Sequence, residues 1–74
     1  MRVSEFWLAV VDEFGEGYGR VVTRDLVLGE IGDLTAEQGI KAGIGAREIW
    51  LALCRATDVP PARWYGVGHR EPKK

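Results

Sequence analysis

Residues 18 to 31 read Tyr18-Gly19-Arg20-Val21-Val22-Thr23-Arg24-Asp25-Leu26-Val27-Leu28-Gly29-Glu30-Ile31, and the fold hangs on whether they form one helix or two short strands. Wound as a helix, Tyr18, Val21, Val22 and Leu28 gather on one side and Val27 and Ile31 on the other, so the segment is apolar on both flanks. A helix of that kind belongs at the centre of a domain. The β-branched and aliphatic residues also suit strands, and short apolar runs are not decided by periodicity alone. No tight-turn pair such as Asn-Gly lies between Val22 and Leu26, and both neighbouring segments read as helix, which favours a central helix over residues 18 to 31. Asp25 projects from the middle of the richer apolar face. A charge there is costly without a partner, so Asp25 is expected to be a buried polar residue held by a Trp indole, an Arg or the amides at a helix start.

Before this stretch, Ser4 reads as an N-cap, and Val3, Phe6, Trp7, Val10, Val11 and Phe14 recur at helical spacing. Gly15 supplies a C-cap, and Gly17 and Gly19 loosen the link into the central helix. Gly29 inside a helix costs about 1 kcal/mol relative to Ala, which suggests a close helix crossing, and Gly32 ends the element. Thr35 and Gln38 form a Thr-x-x-Gln capping box for a short helix stopped at Gly43. Gly45 then caps a last long helix carrying Ile49, Trp50, Leu53 and Cys54 inward, with Ile44 and Ile49 as a hydrophobic staple, and Val59-Pro60-Pro61 ends it. Pro61 is suited to open one more turn through Tyr65. The expected architecture is all-α: helices near 4–14, 18–31 and 46–57, with short ones near 36–42 and 61–65.

The chain has 74 residues, which makes it a single domain near the size where one hydrophobic core becomes marginal. Phe6, Trp7, Phe14, Tyr18, Trp50, Trp64 and Tyr65 are therefore expected to supply much of the core. A helical domain over 1–65 and a flexible basic tail over 66–74 follow from the composition, because the tail has too little apolar content to offset its ordering entropy. Cys54 is the single cysteine, so no internal disulfide forms, in keeping with a reducing cytoplasm. The longest amino-terminal apolar run, Phe6 to Val11, is too short for a signal peptide or a membrane span. Residues 1–59 carry six basic and ten acidic side chains, and residues 60–74 carry four basic and one acidic. An acidic body with a short basic tail argues against broad electrostatic binding of nucleic acid.

The ordered set Met1-Arg2, Glu5-Phe6-Trp7, Phe14-Gly15, Tyr18, Arg24-Asp25, Leu28, Gly32, Thr35, Gly43, Trp50, Cys54 and Asp58-Val59-Pro60 resembles a family of small actinobacterial proteins, domain of unknown function 3046. The resemblance covers about residues 1–64, with Gly45 standing where a polar N-cap is usual. It implies a cytoplasmic protein, often encoded close to recombination genes, and carries no assigned activity.

The residues offer little catalytic chemistry. Cys54 reads as a small buried hydrophobe, because the sole histidine, His69, lies in the tail. One His and one Cys make no metal centre, and the glycines sit at helix ends and form no phosphate loop, so neither metal nor cofactor is expected. Asp25 is a candidate catalytic or binding carboxylate only if a second titratable group stands beside it, which favours the structural role. Gly39, Gly43, Ile44 and Ile49 space themselves as in a helix-turn-helix unit over residues 36–57. The outer face of its second helix then offers Arg47, Glu48, Leu51 and Arg55, with Arg47 and Arg55 as possible nucleic-acid contacts. Leu8 and Leu51 are expected at the surface, and with Val27 or Ile31 they would make an apolar patch suited to a protein partner. The reading that follows is a non-catalytic protein-interaction module, ahead of a helix-turn-helix-like DNA-binding protein linked to recombination or repair.

Overall fold

The computed structural model describes residues 1–64, and His69 and the basic tail lie outside them together with Tyr65. The described chain is all-α in character: α1 (Val3–Phe14), α2 (Glu16–Asp25), α3 (Ala36–Lys41) and α4 (Ala46–Ala56), with a two-residue hairpin β1 (Val27–Leu28) and β2 (Leu34–Thr35) and single 3₁₀ turns at Gly29–Ile31 and Pro61–Arg63. α1 begins two residues earlier than a Ser4 cap requires. Arg2 is the N-cap residue, and its backbone N–H donates to the Glu5 carboxylate at 2.7 Å.

The central helix is shorter than the sequence suggests. α2 stops at Asp25, Leu26 turns extended, and Val27 and Leu28 pair antiparallel with Thr35 and Leu34. The reason is angular. At about 100° per residue, a helix continued through Ile31 would point Ile31 directly away from Val22. Breaking the helix brings Leu28 and Ile31 into the same core as Val22, leaving them 2 % and 7 % exposed. Gly29 therefore opens an exposed 3₁₀ turn and allows no helix crossing. The close approaches occur elsewhere: a Cβ on Gly19 would lie 2.7 Å from Val10 Cγ1, and one on Gly39 would lie 2.9 Å from Ile31 Cδ1 and 3.0 Å from Ile49 Cδ1.

The local signals around α3 and α4 are realised. Thr35 accepts from the Gln38 backbone N–H at 3.2 Å while Gln38 accepts from the Thr35 N–H at 2.9 Å. Gly43, at φ 88°, lets the Ile44 N–H reach back to the Gly39 carbonyl at 3.0 Å. Gly45 caps α4, whose Ile49, Trp50, Leu53 and Cys54 are all buried. α4 ends in the same kind of cap with a non-glycine residue: Asp58 is left-handed at φ 61°, and the Val59 N–H bonds the Cys54 carbonyl at 2.9 Å.

Phe6 and Trp50 stand edge to face at the centre, and Trp7 and Phe14 pack half-buried around them. Tyr18 contacts Phe14 but is 59 % exposed, so it is not core. The turn at Pro61–Arg63 folds Trp64 back onto the body. The Trp50 indole donates to the Trp64 carbonyl at 2.5 Å, the Trp64 indole donates to the Val59 carbonyl at 2.7 Å, and Arg63 bonds Glu13 at 2.9 Å.

Candidate functional site

On α1 and α2 an exposed apolar strip adjoins a groove. Phe6, Ala9 and Val10 take up the inward side of α1, and the helix is apolar on a second side as well. Leu8 is 64 % exposed and Val11 44 %, with half-buried Trp7 beside them. At the helical angle these three form one outward strip, bordered on its far side by Glu5 and Asp12. On its near side the strip falls into a groove of about 380 Å³ against α2, lined by Trp7, Val10 and Val11 on one wall and by Glu16, Gly19, Arg20, Thr23 and Arg24 on the other, with Glu37 of α3 as well.

Gly19 and Thr23 allow the two helices to close over this length. Gly19 admits Val10, and Thr23, 2 % exposed, satisfies its hydroxyl by donating to the Gly19 carbonyl at 2.9 Å. Thr23 is thus the buried polar residue of α2, and the Gly19-x-x-x-Thr23 spacing was the signal that marks this face. Asp25 is not buried. Its side chain is 60 % exposed and meets only the adjacent Arg24 among the contacts of the described residues, at 3.3 Å. It lies on the outward side of the last turn because Gly19, Val22 and Thr23 take the inward one.

The other expected surface residues separate. Val27 is 55 % exposed on β1, but Leu51 is half-buried and packs against the core, and Ile31 is buried. Leu8, Val27 and Leu51 stand on three elements, and the apolar neighbours of Leu8 along its own helix are Trp7 and Val11. On α4, Arg47 is exposed, while Arg55 is held by Glu30: its Nε lies 2.9 and 3.0 Å from the two carboxylate oxygens, and its guanidinium carbon sits 5.7 Å from the Trp64 ring centroid. This hydrogen bond holds the Glu30 carboxyl below its usual range. Cys54 is fully buried, and its thiol is pushed up to about 12, first by burial and then by Glu13. Among the described residues no group of three His, Cys, Asp or Glu side chains is placed to hold a metal ion, and no helix is long and apolar enough to cross a membrane.

Comparison with curated proteins and with solved structures gives no significant match. The family described as "Protein of unknown function (DUF3046)" matches residues 1–62, from α1 into the C-terminal turn. The match takes in all four helices and the hairpin that joins α2 to α3, and the chain belongs to that family.

Proposed function

We propose that this protein is a non-catalytic module that binds another protein through the outward face of α1. The observation that carries the reading is the exposed strip of Leu8 and Val11 beside Trp7, on a helix whose opposite side is already core. A helix with a spare apolar side at i and i+3 spacing, next to a groove, is suited to helix-on-helix recognition. Cys54, the one strong nucleophile in the body, is sealed within the core, which supports a role in contact over one in catalysis.

DNA recognition by the α3–α4 corner is the second reading. Gly39 supports close packing of α3 on α4, as such a unit requires, but plain helix-corner packing requires it equally. The outward charges favour it less. Arg55 is already engaged by Glu30, Glu48 stands beside Arg47, and the body is acidic overall. The test is a nuclease-treated pull-down from the source cell with full-length protein, a chain lacking residues 66–74, and Leu8→Glu. A nuclease-resistant protein that the truncation retains and a folded Leu8→Glu loses is the expected outcome. Recovery that vanishes with nuclease and depends on Arg47 would put the DNA reading first. Leu51→Glu is the poorer probe, because a half-buried Leu51 confounds binding with stability.

A further inference from the structure

We infer that residues 60–64 form a strap that lifts off the body as a unit while the four helices stay folded, baring the Trp50 edge of the core, and that salt loosens it. The inference uses none of Trp7, Leu8 or Val11 and does not depend on the contact reading above.

The strap is tied to the body by side chains alone. Pro60 and Pro61 have no backbone N–H to give. Among the described residues the backbone bonds of the strap are internal, from the Arg63 N–H to the Pro60 carbonyl at 2.8 Å and from the Trp64 N–H to the Pro61 carbonyl at 3.1 Å, so they move with it. α4 is closed before the strap begins: the Thr57 N–H bonds the Leu53 carbonyl at 3.0 Å and the Val59 N–H bonds the Cys54 carbonyl at 2.9 Å. The end of that helix therefore keeps its backbone bonds when the strap leaves.

The fastenings to the body are of two kinds. One is buried: the Trp50 indole donates to the Trp64 carbonyl, and the Trp64 ring packs half-buried against the core. The other is ionic and wet. Arg63, its side chain 59 % exposed, bonds Glu13, and the Arg55 guanidinium, 44 % exposed and held by Glu30, stands over the Trp64 ring. Residues 60–63 are exposed, so lifting the strap gives up little apolar burial beyond the Trp64 ring, as expected of a segment that opens apart from the global transition. Salt screens the exposed charges and leaves the buried bond largely untouched, which shifts the strap toward the open state. Once open, the Trp50 N–H has lost its acceptor and faces water.

Hydrogen exchange on the full chain, followed by NMR, resolves the Trp50 indole proton and the helical amides. Across low urea the indole rate is expected to stay flat, because a small opening exposes little surface, while the Leu53 amide rate climbs with global unfolding. Added salt should raise the indole rate. Arg63→Ala should raise it by up to about fivefold and leave a smaller response to salt than in the wild type. Trp64→Ala keeps the carbonyl but removes the ring, and should raise the rate by at least about tenfold with helical circular dichroism unchanged. An indole rate that climbs with urea in step with Leu53 overturns the inference, because the strap then leaves only when the domain unfolds. An indole rate that falls in salt, or that neither substitution changes, overturns it as well.

Discussion

Gly17 and Gly19 are two residues apart in α2 and have opposite reasons to be glycine. Gly17 has open space where a Cβ would stand, so Gly17→Ala gains helix propensity and should raise stability by up to about 1 kcal/mol. Gly19→Ala gains the same propensity but drives a methyl to 2.7 Å from Val10 Cγ1. Val10 is buried and β-branched, so it yields poorly, and overpacking costs about 1–3 kcal/mol. The net effect should be a loss, and urea midpoints of the two variants should fall on opposite sides of the wild type. Residue roles set by near neighbours in sequence were legible in advance: the Thr35–Gln38 box, the Gly45 cap, the Gly43 turn and Pro61 opening the last turn. Roles set by which way a helix rolls were not. Asp25, expected inside, lies outside, and Thr23 is the buried polar residue of α2, because that roll depends on Val10 meeting Gly19, a contact between two helices.

At the scale of elements, the end of α2 was the illegible part. Residues 18 to 31 have apolar flanks that serve either a long helix or a helix followed by a hairpin, and only the shared core of Val22, Leu28 and Ile31 decides between them. The site was legible in part for the same reason. Leu8 stands out from α1 alone, whereas the groove with Arg20 and Arg24 exists only once α2 lies beside it. The packing of α4 can be followed through its thiol. Below the ordinary value of 9.0 the folded and unfolded chains both keep the Cys54 proton. From there to about 12 the unfolded chain loses it and the folded one retains it, so this group's contribution to stability falls as pH rises through that window. Cys54→Ala should therefore flatten the alkaline limb of the stability profile, and native Cys54 should react with a thiol reagent only as fast as α4 is uncovered. A native thiol that reacts at the rate of the unfolded chain would contradict this account.

On the scale of the molecule, the folded unit extends past the family match. The match closes at residue 62, but the Trp50 indole, on a side chain only 1 % exposed, finds its acceptor in the Trp64 carbonyl. A chain ending at Ala62 strands that donor and also loses the Arg63–Glu13 bond and the Trp64 packing. It should be less stable than a chain ending at Trp64 by at least about 1–3 kcal/mol, the cost of a buried unsatisfied donor. Equal denaturation midpoints for the two chains would show that Trp64 does not complete the core.

Gly15 is the whole of the joint between α1 and α2. Its N–H closes the first helix on Val11 and its carbonyl accepts from Gly19 to open the second, at φ 84° and ψ 165°, a conformation essentially confined to glycine. Loops usually absorb insertions without harm, but this joint has no slack to absorb one. A single residue added there would turn α2 by about 100° about its own axis, carrying Gly19 and Thr23 off the face of α1 and Arg20 and Arg24 away from the groove. The spacing between the two helices is in this sense a reading frame for the surface: substitutions can tune the strip, but a change in length erases it.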